Sequence, residues 1–97
     1  MTETVVNTKT EKRYIITCTR EDGKNSSYQS KPLTLTEAIE YYGYTLQTGK
    51  SYEMERGNKK INTNPKTIKG LITALFNATN NACANGYSGK IYTYTEV

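Results

Sequence analysis

The chain has 97 residues, 35% of them hydrophobic, with a net charge of +4, two cysteines and neither histidine nor tryptophan. A single domain over residues 1–97 is expected, because a chain of this length holds one thin core. The missing imidazole removes the commonest general base, the Cys/His and Ser/His nucleophile pairs and the commonest zinc ligand, so no enzyme, metal site or cofactor is expected.

Residues 1–10, rich in Thr around Val5-Val6, read as a flexible tail or a strand added at a sheet edge. They lack the cations and apolar run of a secretory leader, and no window approaches the roughly 20 apolar residues of a membrane span. A soluble cytoplasmic protein with Cys18 and Cys83 as free thiols is expected. Arg13–Arg20 is the first predicted strand, with Tyr14, Ile16 and Cys18 on one face and Ile15, Thr17 and Thr19 on the other. Asp22-Gly23 supplies a hairpin turn, and Ser26–Ser30 the weaker partner strand, held to an edge by Pro32.

Thr34-Leu35-Thr36-Glu37 is a capping-box pattern, and Ala38, Ile39, Tyr42 and Leu46 then repeat at helical spacing up to a stop at Thr48-Gly49. Gly43 in its middle signals either a closely packed neighbour or a weak helix. A second hairpin is expected over residues 51–63, turning at Arg56–Lys59; the rival reading carries the helix on to Glu55 and leaves an open basic loop. Asn64-Pro65 predicts the start of the main core helix, in which Ile68, Leu71, Ile72, Leu75, Phe76, Thr79 and Cys83 form an apolar stripe ending near Asn85-Gly86. Lys90–Val97 reads as a carboxy-terminal strand. The predicted class is α+β, a two-layer sandwich of a small, mostly antiparallel sheet with two helices on one face, in the order β-β-α-β-β-α-β.

Charge is unevenly placed. Met1–Glu55 carries seven cations against eight acids, whereas Arg56–Thr95 carries six cations and no acid. Arg56, Lys59, Lys60, Lys66 and Lys69, interleaved with Asn58, Asn62 and Asn64, are the candidate anion site, pairing ammonium and amide groups with a helix amino terminus. Asn77 and Asn81, in a row with Asn85 beside Ala74, Ala78 and Ala82, offer donors and acceptors on a shallow helix face. Nine tyrosines exceed what one thin core needs, and Tyr44 and Tyr52 are the candidates for an interface. The clustered carboxylates Glu37, Glu40, Glu53 and Glu55 are explained by capping and by solvent-facing positions, which leaves no acid-base pair.

Tyr42–Leu46 (YGYTL), Gly57–Asn62 (GNKKIN), Asn64–Lys69 (NPKTIK) and Asn85-Gly86-Tyr87 resemble the phrasing of small accessory proteins of tailed bacteriophages. The resemblance implies a protein made in the host bacterial cytoplasm that binds and blocks a host factor, defence systems included, and the function expected is inhibition of a defence-system protein or sequestration of its nucleotide signal. The partners expected are a protein with an acidic surface or a phosphorylated ligand. Nucleic acid, bound through the basic half at 56–90, is the alternative. A homodimer is expected from the surplus tyrosine and the alanine-asparagine face.

Overall fold

A run of β-branched and aromatic residues forms β1 (Tyr14–Arg20) as the pattern predicts, and the sheet places it at the centre. The computed structural model describes residues 12–21 and 27–97, so the expected tail and the Asp22-Gly23 turn lie outside the described residues. β2 (Tyr28–Gln29) and β3 (Lys90–Glu96) flank β1 in an antiparallel sheet of order β2-β1-β3. Ile16 is fully buried, with Cys18, Tyr92 and Tyr94 on the same inward face.

β2 is short because Ser30 takes over its ladder. The Ile16 amide donates to the Ser30 hydroxyl at 3.0 Å and Ser30 N donates back to Ile16 O at 2.9 Å. Past Lys31-Pro32, Leu33 and Tyr14 exchange a final pair of backbone bonds at 2.7 and 2.9 Å. The proline-adjacent edge is thus blunted as expected.

The capping box is present in full: the Glu37 amide donates to Thr34 Oγ1 at 3.2 Å, and Thr34 N donates to Glu37 Oε1 at 3.0 Å. The bond from the Thr34 amide, helped by the Arg13 guanidinium at 3.1 Å, lowers the Glu37 pKa below its ordinary value. Helix α1 (Leu35–Tyr41) starts there. The expected single helix is instead two, because the chain breaks at Tyr42 (φ −98°, ψ 15°) and resumes as α2 (Gly43–Ser51). Glycine at position 43 makes continuation weak, and the space that a Cβ would take there is open. Gly49 is not the stop; it is buried inside α2, where a Cβ would lie 2.3 Å from that of Ala78.

The expected second hairpin is absent. Residues 52–67 contain no strand, and the rival reading of a longer helix followed by a loop is nearer the truth, with the helix ending at Ser51. Side chains claim the backbone amides that a ladder would use, since Ile61 N donates to Glu53 Oε2 at 2.7 Å and Lys59 N to Asn81 Oδ1 at 3.0 Å. Buried Ile61 and Pro65 anchor this segment.

Helix α3 (Ile68–Asn81) begins later than Asn64-Pro65 predicts. Thr67 is the N-cap, its hydroxyl accepting from Gly70 N at 3.0 Å, while Asn64 N is turned back onto Asn62 Oδ1. It also ends earlier than Asn85-Gly86, with Ala82 as C-cap. Leu71 and Leu75 are fully buried as the stripe predicts, but so, almost, are Ala74, Ala78 and Asn81, which the sequence pattern places on a surface. The buried arc is wider than one stripe because α3 packs on the sheet and on α2 together. The fold class stands: a small antiparallel sheet in one layer and the helices in the other, in the order β-β-α-α-α-β.

The two α2 glycines should respond oppositely to substitution. Gly49→Ala is expected to cost about 1–3 kcal/mol by overpacking against Ala78. Gly43→Ala, with open space around it, should be neutral or stabilising by up to roughly 1 kcal/mol. Urea denaturation of both variants checks this; equal losses would contradict the crossing described.

Candidate functional site

Asn81, in the last turn of α3, organises the segment that follows α2. Its Nδ2 donates to Gly49 O at 3.1 Å and to Lys59 O at 2.7 Å, while its Oδ1 accepts from Lys59 N. A buried amide with both ends satisfied by backbone holds the loop against the helix end. Asn58 continues the pattern, its Nδ2 donating to Tyr52 O and, at 3.4 Å, to Asn81 O.

The turn at Glu55–Lys59 and the turn at Ala82–Gly86 form the walls of a trough across the carboxy-terminal end of α3. Its larger part, about 710 Å³, has Tyr52, Glu55, Arg56, Cys83 and Asn85 in its lining. A smaller part of about 300 Å³ adds Lys59, Phe76, Asn77 and Asn80, and Arg56, Asn58, Asn81, Asn85 and Gly86 border both. Asn85 Oδ1 accepts from Tyr87 N at 3.0 Å and from the Cys83 thiol, and Asn80 Oδ1 accepts from Ser88 N at 2.8 Å. Asn80, Asn81 and Asn85 are therefore engaged in building the walls, whereas the Asn77 side chain has no hydrogen-bond partner among the described residues.

The five cations of the predicted anion site do not meet. Lys59 is tied to Asn81 at one end of α3, while Lys66 and Lys69 lie at its start. Asn81 lies twelve steps along α3 from Lys69, about 18 Å at the usual rise. Arg56, Asn58, Lys59, Asn77, Asn81 and Tyr52 share the trough; Lys60, Asn62 and Asn64 lie along the exposed loop, and Tyr44 stands on α2 at 86% exposure. The helix amino terminus that was to bind an anion is at the other end. Here α3 presents its partly negative carboxyl end, which Arg56 and Lys59 complement.

Glu55, Cys83 and Phe76 were not anticipated as part of the site. The sequence pattern makes Asn85-Gly86 a helix cap, and the signal for its role in the wall is that a positive-φ glycine, here at φ +80°, also makes a tight turn.

A second concavity of about 340 Å³ lies between sheet and helices, bordered by Cys18, Arg20, Tyr28, Tyr42, Lys90 and Tyr92. The Tyr42 hydroxyl is buried there without a hydrogen-bond partner. Burial, reinforced by Tyr41, Cys18 and Tyr28, pushes the Tyr42 pKa up to about 12; burial and Cys18 raise Tyr92 as well. The Tyr28 and Tyr41 hydroxyls bond each other at 3.0 Å at the surface.

Compared with protein-family models, with curated proteins and with solved structures, the chain finds no match. No helix among the described residues is long and apolar enough to cross a membrane.

Two measurements check this geometry. Asn81→Ala should cost about 1–3 kcal/mol for each buried backbone group it leaves unpaired, whereas Asn77→Ala should change stability little, a contrast readable in denaturation midpoints. In alkali, a phenol whose folded pKa is raised favours the folded state fully below its unfolded value of 10.0. That contribution should be lost as pH rises towards about 12, so tyrosinate absorbance of the Tyr42 type should appear together with unfolding, not before it.

Proposed function

We propose that this chain is a non-catalytic binding protein that works in a bacterial cytoplasm, contacting its partner through the trough at the end of α3. Arg56, Lys59, Asn77 and Tyr52 are its contact residues. The observation that carries the reading is a division of labour within one trough. Asn58, Asn81 and Asn85 are engaged in internal bonds that fix its walls, while Arg56 and Lys59 are exposed and form no ion pair among the described residues. Walls already fixed by internal bonds lose little freedom on binding, which favours affinity.

The partner chemistry follows from the charges. A guanidinium, an ammonium and an amide suit carboxylates or phosphates, and Arg56 can grip either in a bidentate way. Glu55 on the rim and the carbonyl end of α3 oppose a dense multiple charge, so an acidic protein surface fits better than a free polyphosphate. Together with the resemblance to phage accessory proteins, this supports inhibition of a host factor, with a defence-system protein ahead of its nucleotide signal. Nucleic acid is the second reading, supported by the absence of any acid between Arg56 and Thr95.

Capture from bacterial lysate tests the site. The double variant Arg56→Glu/Lys59→Glu should lose the captured protein with a nearly unchanged Tm, because exposed charges contribute little to folding. Full capture by the variant would overturn the assignment. A steep fall of nucleic-acid affinity with salt, removed by the same variant, would instead establish the second reading.

A further inference from the structure

The two edges of the sheet are unlike. β2 is two residues long and runs into Lys31-Pro32, which blunts that edge against further pairing. β3 is seven residues long, free of proline and glycine, and without a strand partner on its outer side among the described residues. Its backbone phase is set by bonds from Glu21 N to Gly89 O at 2.7 Å and from Val97 N to Arg13 O at 2.9 Å. Alternation then turns Ile91, Thr93 and Thr95 towards β1 and leaves the amides and carbonyls of Tyr92, Tyr94 and Glu96, with the carbonyl of Lys90, pointing outward. The Lys90 amide itself donates to Ser88 Oγ at 3.2 Å.

The geometry points to a second copy of this chain as the occupant of that edge, pairing β3 antiparallel to itself about a two-fold axis at Thr93. In this register Tyr92 faces Tyr94 of the second copy and exchanges both backbone bonds with it, and Glu96 N donates to the other Lys90 carbonyl. The sequence Lys90-Ile91-Tyr92-Thr93-Tyr94-Thr95-Glu96 is charge-complementary to its own reverse, so each Lys90 meets a Glu96 and the contact is made twice. Sliding by two residues in either direction loses both ion pairs, and sliding by one opposes amides that point the wrong way. Glu96 is free to take part, because its one described ion pair, with Lys12 at 3.8 Å, joins two side chains that are 50% and 66% exposed. The product is a continuous six-stranded sheet. Of the alanine-asparagine face expected to make the dimer, Ala74, Ala78 and Asn81 are buried within one chain, while Asn77 is half-buried and Ala82 and Asn85 are exposed.

Thr93 and Thr95 are both exposed on the sheet face away from the helices, which makes them suitable probes of register in the full chain. Across the two-fold, Thr93 faces its own copy in a non-hydrogen-bonded pair with Cα atoms about 4.5 Å apart, within disulfide range. The two copies of Thr95 would be about 14 Å apart. Thr93→Cys should therefore form an intermolecular disulfide rapidly on mild oxidation, and Thr95→Cys should not exceed the background set by Cys18 and Cys83. By sedimentation, Lys90→Glu and Glu96→Lys should each weaken dimerisation at least tenfold, and the double exchange should restore it. A monomeric wild type at the highest attainable concentration, crosslinking of Thr93→Cys no faster than Thr95→Cys, or a dimer indifferent to both charge reversals would overturn the assignment. Pairing of the edge with the chain's own amino-terminal segment would show itself as the first of these.

Discussion

The close crossing of α2 and α3 at Gly49 is the contact on which the rest of the structure depends. A hydrogen in place of a Cβ lets the Gly49 backbone lie against Ala78, and the same approach brings the Gly49 carbonyl within 3.1 Å of Asn81 Nδ2. Once that amide is placed, its two remaining bonds to Lys59 determine where the chain runs after α2. Van der Waals contact and a satisfied buried amide thus reinforce each other, and neither survives if the helices move apart.

The trough is a consequence of that arrangement. Its walls are two turns drawn together because Asn81 belongs to both neighbourhoods, bonding the loop with its side chain and accepting from Asn58 with its backbone. Arg56 and Lys59 are carried on a segment held by the Lys59 backbone and the Asn58 side chain, while their own charged groups form no ion pair among the described residues. That combination separates folding from recognition, so the charges on the trough can change with little effect on the core.

The sheet shows a similar separation. Its inward face carries Ile16, Cys18, Tyr92 and Tyr94 into the core, while Thr17, Thr19, Thr93 and Thr95 share the outward face with Ile15 and Ile91 and make it mostly, not wholly, polar. A half-polar sheet is stable in water on that face, and only the edges remain to be managed. One is closed by Ser30 and Pro32, and the other, β3, has no strand beyond it among the described residues, which leaves it as the edge on which the proposed pairing rests.

Short-range chemistry was legible in the residues themselves. Period-two alternation placed Ile16 and Cys18 inward; the Thr34–Glu37 box marked the start of α1; helical spacing put Leu71 and Leu75 in the core; and Pro32 closed an edge. In each case the interacting groups are within a few residues, so their geometry follows from backbone period alone. The breadth of the buried arc on α3, the role of Gly49 inside a helix and the loss of the second hairpin were not legible. They depend on contacts across more than 20 residues: Gly49 with Ala78, Lys59 with Asn81, Gly49 with Asn81. For the same reason Lys59 and Lys69, ten apart in the chain, lie at opposite ends of a helix whose exit is joined to Lys59 by one asparagine. Composition specified a basic, tyrosine-rich α+β domain, and tertiary packing alone decided which of its cations share a surface, because only packing sets the distance between elements that are not neighbours in sequence.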